Sequence, residues 1–222
     1  LGRMPLQPGV DMYKDSEGRI IYVGKARSLR QRMRSYFQSP EKLHPKVRAL
    51  MNRVADFDYI VTNSEVEALI LERNLIKAYQ PRYNIQLRDD KSYPYIKLTT
   101  TDKYPRLSMV REKKDGVSLY FGPYTDAGAV RETLRLLNGL FPLRTCKTLR
   151  PAQRTCLNYD IGRCQGPCQG MISEEDYGVL VGRVRAFLEG DYKGLLREKE
   201  EEMKAAAGRM EFELAAQLRD QI

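Results

Sequence analysis

Residues 9–37 read GVDMYKDSEGRIIYVGKARSLRQRMRSYF. Val, Ile and Tyr flank Asp15-Ser16-Glu17-Gly18, the composition of two short strands joined by a turn. Gly24 ends the second strand, and the hydroxyl of Ser28 can cap a helix running to about Tyr36. One strand–turn–helix therefore carries Tyr22, Lys25, Arg32 and Tyr36, side chains that can grip a phosphate.

Outward from this stretch, Pro45 starts a second helix, PKVRALMNRV, with Val47, Leu50, Met51 and Val54 at helical spacing. FDYIVT reads as a third strand. Ser64 and Glu67 form a capping-box pattern opening a further helix that Pro81 closes. The order β-β-α-α-β-α is expected to about Asn84, followed by a basic loop, LRDDKSYP. PYIKLTT, RLSMVRE and VSLYFG then read as strands, the last two bracketing a Lys-Asp-Gly turn. Asp126 is placed to cap a helix with Val130, Leu134, Leu137 and Leu140 on one side. Ser173 and Asp176 open another, to about Leu188.

The helix ALILERNLIKAY carries Glu72 among Ala68, Leu69, Leu75, Ile76 and Tyr79. A carboxylate in such a stripe loses hydration unless something pairs with it. A hard divalent cation is one remedy and a buried ion pair with an arginine, such as Arg32, is the other. Arg32 shares its helix face with Leu29 and Tyr36, where a guanidinium can fork onto a phosphate. Arg27, Arg30 and Arg34 spread to other faces, as solvated cations that contact backbone phosphate at most. Tyr22 and Tyr36 taken singly are ordinary core aromatics.

The charge is uneven along the 222 residues. The first 170 carry 30 basic and 17 acidic groups, and the last 52 carry 8 and 12. A basic body suits a polyanion such as DNA, whereas the acidic end faces protein or solvent. No apolar run of about 18 residues suggests a membrane span, and no leader pattern is visible, so a cytoplasmic protein is expected. The start at Leu1 and the stop inside a helical pattern suggest a piece of a longer chain. The one histidine, His44, rules out multi-histidine metal sites and sits at a helix entrance before Pro45. A hydrolase of this composition would use tyrosine, carboxylate or metal-bound water as proton acceptor.

Cys146, Cys156, Cys164 and Cys168 follow C-x9-C-x7-C-x3-C within an irregular Pro-, Gly- and Arg-rich segment. A metal role outranks a disulfide framework in that context. Four thiolates suit a [4Fe–4S] cluster or Zn2+, although the paired C-x2-C knuckles usual for zinc are missing. Free buried thiols are the bland alternative. Beyond them, Leu195, Leu196, Met203, Met210, Leu214, Leu218 and Ile222 form an apolar stripe beside a Glu-rich face. That pattern suits one or two helices that dock on a helical partner or fold into their own hairpin.

PGV, IYVGKA, LRQRMRSYF and EALILERNLIKAYQPRYN together resemble the GIY-YIG nuclease domain in the form found in the UvrC family. The likeness continues through DDKSYPYIKL, YFGPY, VRETLRLL, FPLRTC, CLNYDIGRCQGPC and EFELAAQLRDQI. It implies a small antiparallel sheet flanked by helices (α+β) at residues 1–90 and a mixed β/α middle region at 91–142. It further implies a Cys-rich cluster-binding module at 143–172 and a helical region with part of a UvrB-binding motif at 173–222.

By the same resemblance, Tyr22 activates water and Glu72 binds Mg2+ or Mn2+. Lys25, Arg32 and Tyr36 position and neutralise the phosphate, Asn84 supports the site, and the cysteines hold an iron–sulfur cluster. The implied activity is the 3′ incision of damaged double-stranded DNA in nucleotide excision repair. UvrB is the implied partner, through Leu214, Leu218 and Ile222. One position departs from the family: Asp11 stands where its first tyrosine is expected. The acid can repel phosphate, join the metal or remove a hydrogen bond, and Tyr13, two residues on along the same strand face, is a candidate replacement. The rival reading is a DNA-binding and docking module with a disabled nuclease site.

Overall fold

The structure, a computed structural model, describes residues 4–38, 41, 43–85, 93–113, 115–124, 126–149, 154–191 and 193–219. Two compact units emerge. Leu1–Tyr95, Met109–Lys114 and Gly122–Thr133 make up the first, and Ile96–Ser108, Asp115–Phe121 and Leu134–Ile222 the second.

In the first unit, β1 (Gly9–Lys14), β2 (Ile20–Ala26) and β3 (Asp56–Val61) form an antiparallel sheet in the order β2-β1-β3. Strand alternation divides its core. Val10, Met12 and Val23 meet Ala68, Leu71, Leu75 and Ile76 of α3 (Glu65–Tyr79) on one face. Tyr13, Ile21 and Ala26 meet Leu29 and Met33 of α1 (Leu29–Tyr36) and Leu50 of α2 (Pro45–Met51) in a separate cluster. A side chain at Gly9 would strike the Ile60 carbonyl and Leu29, so glycine is what lets strand and helix approach here.

The helix starts follow their local chemistry. Ser28 accepts the Gln31 N–H, and Ser64 accepts the Glu67 N–H at 3.1 Å while Glu67 reaches back to the Asn63 N–H at 2.7 Å. The His44 carbonyl takes the Arg48 N–H at the entrance of α2. After α3, Gln80 adopts the left-handed conformation and ends the helix before Pro81. A short α4 (Arg82–Ile85), not foreseen from the sequence, follows. Most of the expected basic loop, residues 87–92 of it, lies outside the described residues.

A second sheet corrects the expected hairpin. β4 (Tyr95–Leu98), β5 (Leu107–Val110) and β6 (Leu119–Phe121) run in the order β5-β4-β6, so the strands either side of Lys-Asp-Gly flank β4 instead of pairing. Ile96 and Leu98 of β4 are fully buried, which makes it the apolar centre. Asp115 of the connection accepts the Ser118 N–H at 2.7 Å and pairs with Lys97 of β4, tying the turn to the middle strand.

Asp126 caps α5 (Ala127–Leu140) by accepting the Gly128 and Ala129 N–H groups at 2.8 and 3.0 Å. In the second unit, α6 (Leu157–Asp160) and a 3-10 turn, Pro167–Gln169, interrupt the cysteine segment. Arg144, almost fully buried, braces it: Nη1 donates to the Cys146 carbonyl at 2.7 Å and Nη2 pairs with Asp102. α7 (Glu174–Glu189), capped by Ser173, brings Tyr177 to donate to the Pro105 carbonyl at 2.7 Å. α8 (Lys193–Gly208) and α9 (Phe212–Arg219) pack on each other and bury Ala206 and Leu218. Among the described residues no helix is long and apolar enough to cross a membrane.

Candidate active site

β2 is an edge strand, and its outward groups must be satisfied by something other than a neighbouring strand. The Asn84 carboxamide does this at Val23, accepting its N–H at 2.8 Å and donating to its carbonyl at 2.7 Å. Glu72 does it at Lys25, where Oε1 accepts the backbone N–H at 2.8 Å. Thus α3 delivers its buried acid to the sheet edge from one face, while α1 delivers Arg32 from the other.

Arg32 Nη2 donates to the hydroxyls of Tyr22 and Tyr36, each at 3.0 Å, and the guanidinium carbon lies 5.1 Å from the Tyr36 ring centre. Gly24 makes the approach possible, since a Cβ there would collide with Nη2. The close carboxylate partner of Arg32 is Asp11, with Nε–Oδ1 at 2.7 Å. The guanidinium is thus paired with Asp11 at this edge. Tyr13, the candidate replacement for the absent tyrosine, bears on the Asp11 carboxylate and lies 5.4 Å, ring centre to ring centre, from Tyr36. The Tyr13 hydroxyl donates to the Met33 sulfur at 3.3 Å inside the core, and the ring is fully buried.

A cleft of about 460 Å³ opens at this edge, lined by Tyr22, Lys25, Arg27, Ser28, Gln31, Arg32, Glu72, Tyr93 and Asp126 among others. Tyr36 and Asn84 stand behind it, the first against Arg32 and the second against β2. Lys25 Nζ is largely covered and pairs with Asp126 Oδ2 at 3.2 Å. Of the other basic candidates, Arg27 pairs with Glu65 at 3.0 Å on the cleft wall, Arg34 is exposed, and Arg30 is drawn to the Met4 carbonyl at 2.6 Å.

Burial pushes the Glu72 carboxyl up to about 7, opposed by the Lys25 N–H and the nearby cations. Burial likewise raises Asp11 to about 6, with Arg32 pulling the other way. The Tyr22 phenol is raised strongly, chiefly by burial, and Arg32 acts against that rise. The cleft therefore holds a carboxylate whose charge burial makes costly.

The sequence marks Asp126 only as a helix cap and Tyr93 not at all. The structure brings both to the cleft. Their signal was long-range, since Asp126 meets Lys25 across 101 positions, and the YFGPY run before it gives no chemical hint.

The four cysteines sit in the second unit, Cys146 and Cys156 exposed, Cys164 buried and Cys168 between. Burial raises the Cys164 thiol, and the other three raise it further, so the four feel one another. No three Cys, His, Asp or Glu side chains among the described residues stand close enough to hold a metal ion. The thiol set therefore has the right donors for a thiophilic group but not, as placed, the right geometry. Of the expected docking residues, Leu214 is exposed, Leu218 is buried, and Ile222 lies outside the described residues.

Residues 7–85 match the UvrC-like GIY-YIG domain, residues 93–187 the UvrC/Cho excinuclease middle domain, and residues 193–222 the UvrB/uvrC motif. A UvrABC system protein C from Syntrophomonas wolfei is 64% identical over 222 residues, which are 100% of this chain and 37% of that protein. Its counterpart from Moorella thermoacetica is 54% identical over 224 residues, covering 100% of this chain and 36% of its own. The chain thus spans little more than a third of these relatives. The magnesium-bound GIY-YIG N-terminal endonuclease domain of UvrC from Thermotoga maritima is 41% identical, covering 37% of this chain and 88% of that one, with a TM-score of 0.34. With three successive domain matches and whole-chain identity of this degree, the chain belongs to the UvrC family and corresponds to its N-terminal region.

Proposed function

We propose that this chain hydrolyses a phosphodiester bond of damaged DNA on the 3′ side of a lesion, on duplex presented by UvrB, in nucleotide excision repair. The observation that carries the reading is the cleft at the β2 edge, where Tyr22, Lys25, Arg32 and Glu72 share one opening. Domains at 1–90, 91–142, 143–172 and 173–222 would supply nuclease, middle, cysteine and docking functions, inside the cytoplasm.

Glu72 suits a Mg2+ or Mn2+ ion. It offers hard oxygen at a cleft wall, and burial without full compensation keeps its pKa near 7. Magnesium keeps several waters and takes only one or two carboxylates, so a single carboxylate such as Glu72 can serve as its protein ligand. Bound there, the cation would supply Lewis-acid stabilisation of the phosphate. The rest of the work falls to the chain. Arg32, held by two phenols and one carboxylate, would present its guanidinium to the charge developing on phosphorus oxygens. Once ionised, Tyr22 would take the proton of the attacking water, the Arg32 N–H favouring its phenolate against burial. Lys25 would exchange Asp126 for a phosphate oxygen. Arg27 and Arg34 would contact backbone phosphates without reading sequence.

The exposed Met210, Phe212 and Leu214 offer UvrB an apolar surface on the α8–α9 hairpin, in place of the buried Leu218. The cysteines would hold a [4Fe–4S] cluster, or Zn2+, once drawn together. Iron and zinc analysis with a visible absorption spectrum separates these from free thiols.

The rival, a docking module with a disabled site, draws on Asp11, whose negative charge lies against Arg32. Nicking of a UvrB-bound lesion duplex with Mg2+ decides between them. The incision reading expects nicking by this chain and none by Glu72→Ala; equal rates, or no nicking by either with binding retained, would overturn it.

A further inference from the structure

Asp11 is fully buried, in the middle strand of the first sheet, opposite Gly24 of β2. Arg32 Nε lies 2.7 Å from Oδ1, off the line of a regular hydrogen bond, and Tyr13 also bears on the carboxylate. A buried acid whose charge burial still disfavours in spite of these contacts is a poor device for stability alone. Its one close cation is the side chain that the cleft presents to phosphate.

That side chain is gripped on three sides. Asp11 faces Nε, the Tyr22 and Tyr36 hydroxyls take Nη2, and Gly24 leaves the room in which the plane lies. Nη1 makes no hydrogen bond among the described residues, and the side chain stays 24% exposed on the cleft wall. We propose that Asp11 is a positioning residue for Arg32: its carboxylate fixes the guanidinium plane so that the Nη1 edge points at the scissile phosphate. The inference rests on the incision reading and deepens it.

The arrangement has a kinetic signature. Asp11 offsets one positive charge, so it does not help DNA to bind; it acts only by orienting Arg32 in the transition state. Removing its charge should lower kcat while KM for DNA stays level or falls. A residue serving packing alone would produce no such split.

The full chain is tested with a UvrB-bound lesion duplex and Mg2+. Asp11→Asn, close to isosteric, is expected to lower kcat about tenfold with no rise in KM. Arg32→Lys is expected to cost much less in the Asp11→Asn background than in the parent, because the two side chains act as a unit. A parental kcat for Asp11→Asn, additive losses in the double variant, or a rate for Asp11→Tyr above the parent would each overturn the proposal. A second readout needs no turnover: the Arg32 Nε–H resonance should be protected from exchange in the parent and lose that protection in Asp11→Asn. Failure of the parent chain to nick would refute the incision reading, and the pairing would then stand or fall on this resonance; an unchanged resonance overturns it.

Discussion

The β2 edge and the cysteine segment both gather groups suited to an ion, yet they are built in opposite ways. At the edge, each polar side chain is held by a regular element and satisfies a specific partner: Glu72 the Lys25 N–H, Asn84 both backbone groups of Val23, Arg32 two phenols and Asp11. In the segment from Cys146 to Cys168, the donors hang on short turns, and no three of them reach ligating distance among the described residues. The first is organised as it stands; in the second, a thiophilic group would have to draw its donors together.

Breaking the edge should therefore cost most. Removal of Arg32, as Arg32→Ala, is expected to lower nicking by about 10²–10³ through loss of transition-state charge stabilisation, measured as single-turnover rate. Glu72→Gln should show opposite signs on activity and stability. The folded-state pKa of about 7 exceeds the ordinary value of 4.5, so the folded protein holds the proton more tightly, and stability falls as pH rises between those values. At pH 8 and without metal, Glu72→Gln should melt higher than the parent, by an amount reflecting roughly 3 kcal/mol; at pH 4 the two should coincide. Equal melting temperatures at pH 8 would show that the carboxylate is not strained by burial.

Asn84→Ala sharpens the contrast from the structural side. It leaves the Val23 N–H and carbonyl uncovered on the edge strand, at a cost of roughly 2 kcal/mol in denaturant unfolding. An effect within experimental error would mean that water replaces the carboxamide freely. The helical hairpin holds the smallest stability effect beside a larger one. Leu218→Ala should destabilise by about 2–4 kcal/mol, while Leu214→Ala should change stability by less than about 0.5 kcal/mol and instead weaken UvrB binding.

What could be read from the sequence was local. Ser28, Ser64, Asp126 and Ser173 cap their helices because an N-cap depends on its own next three residues. Glu72 betrayed itself by breaking an apolar stripe on one helix. What could not be read was non-local. The β5-β4-β6 order depends on burial of Ile96 and Leu98 and on a Lys97–Asp115 pair, and no turn motif encodes that. The pairing of Asp11 with Arg32, and the arrival of Asp126 at Lys25, likewise require knowing which faces meet. For Tyr13, strand alternation gives a face, not the depth to which the ring sinks into it.

The central claim is that a divalent cation docks on Glu72 at the β2 edge. A Mn2+ titration followed by amide relaxation tests it directly. The account predicts one site that broadens the Lys25 amide and its β2 neighbours and that disappears in Glu72→Gln. Broadening centred elsewhere, or unchanged in that variant, would contradict it.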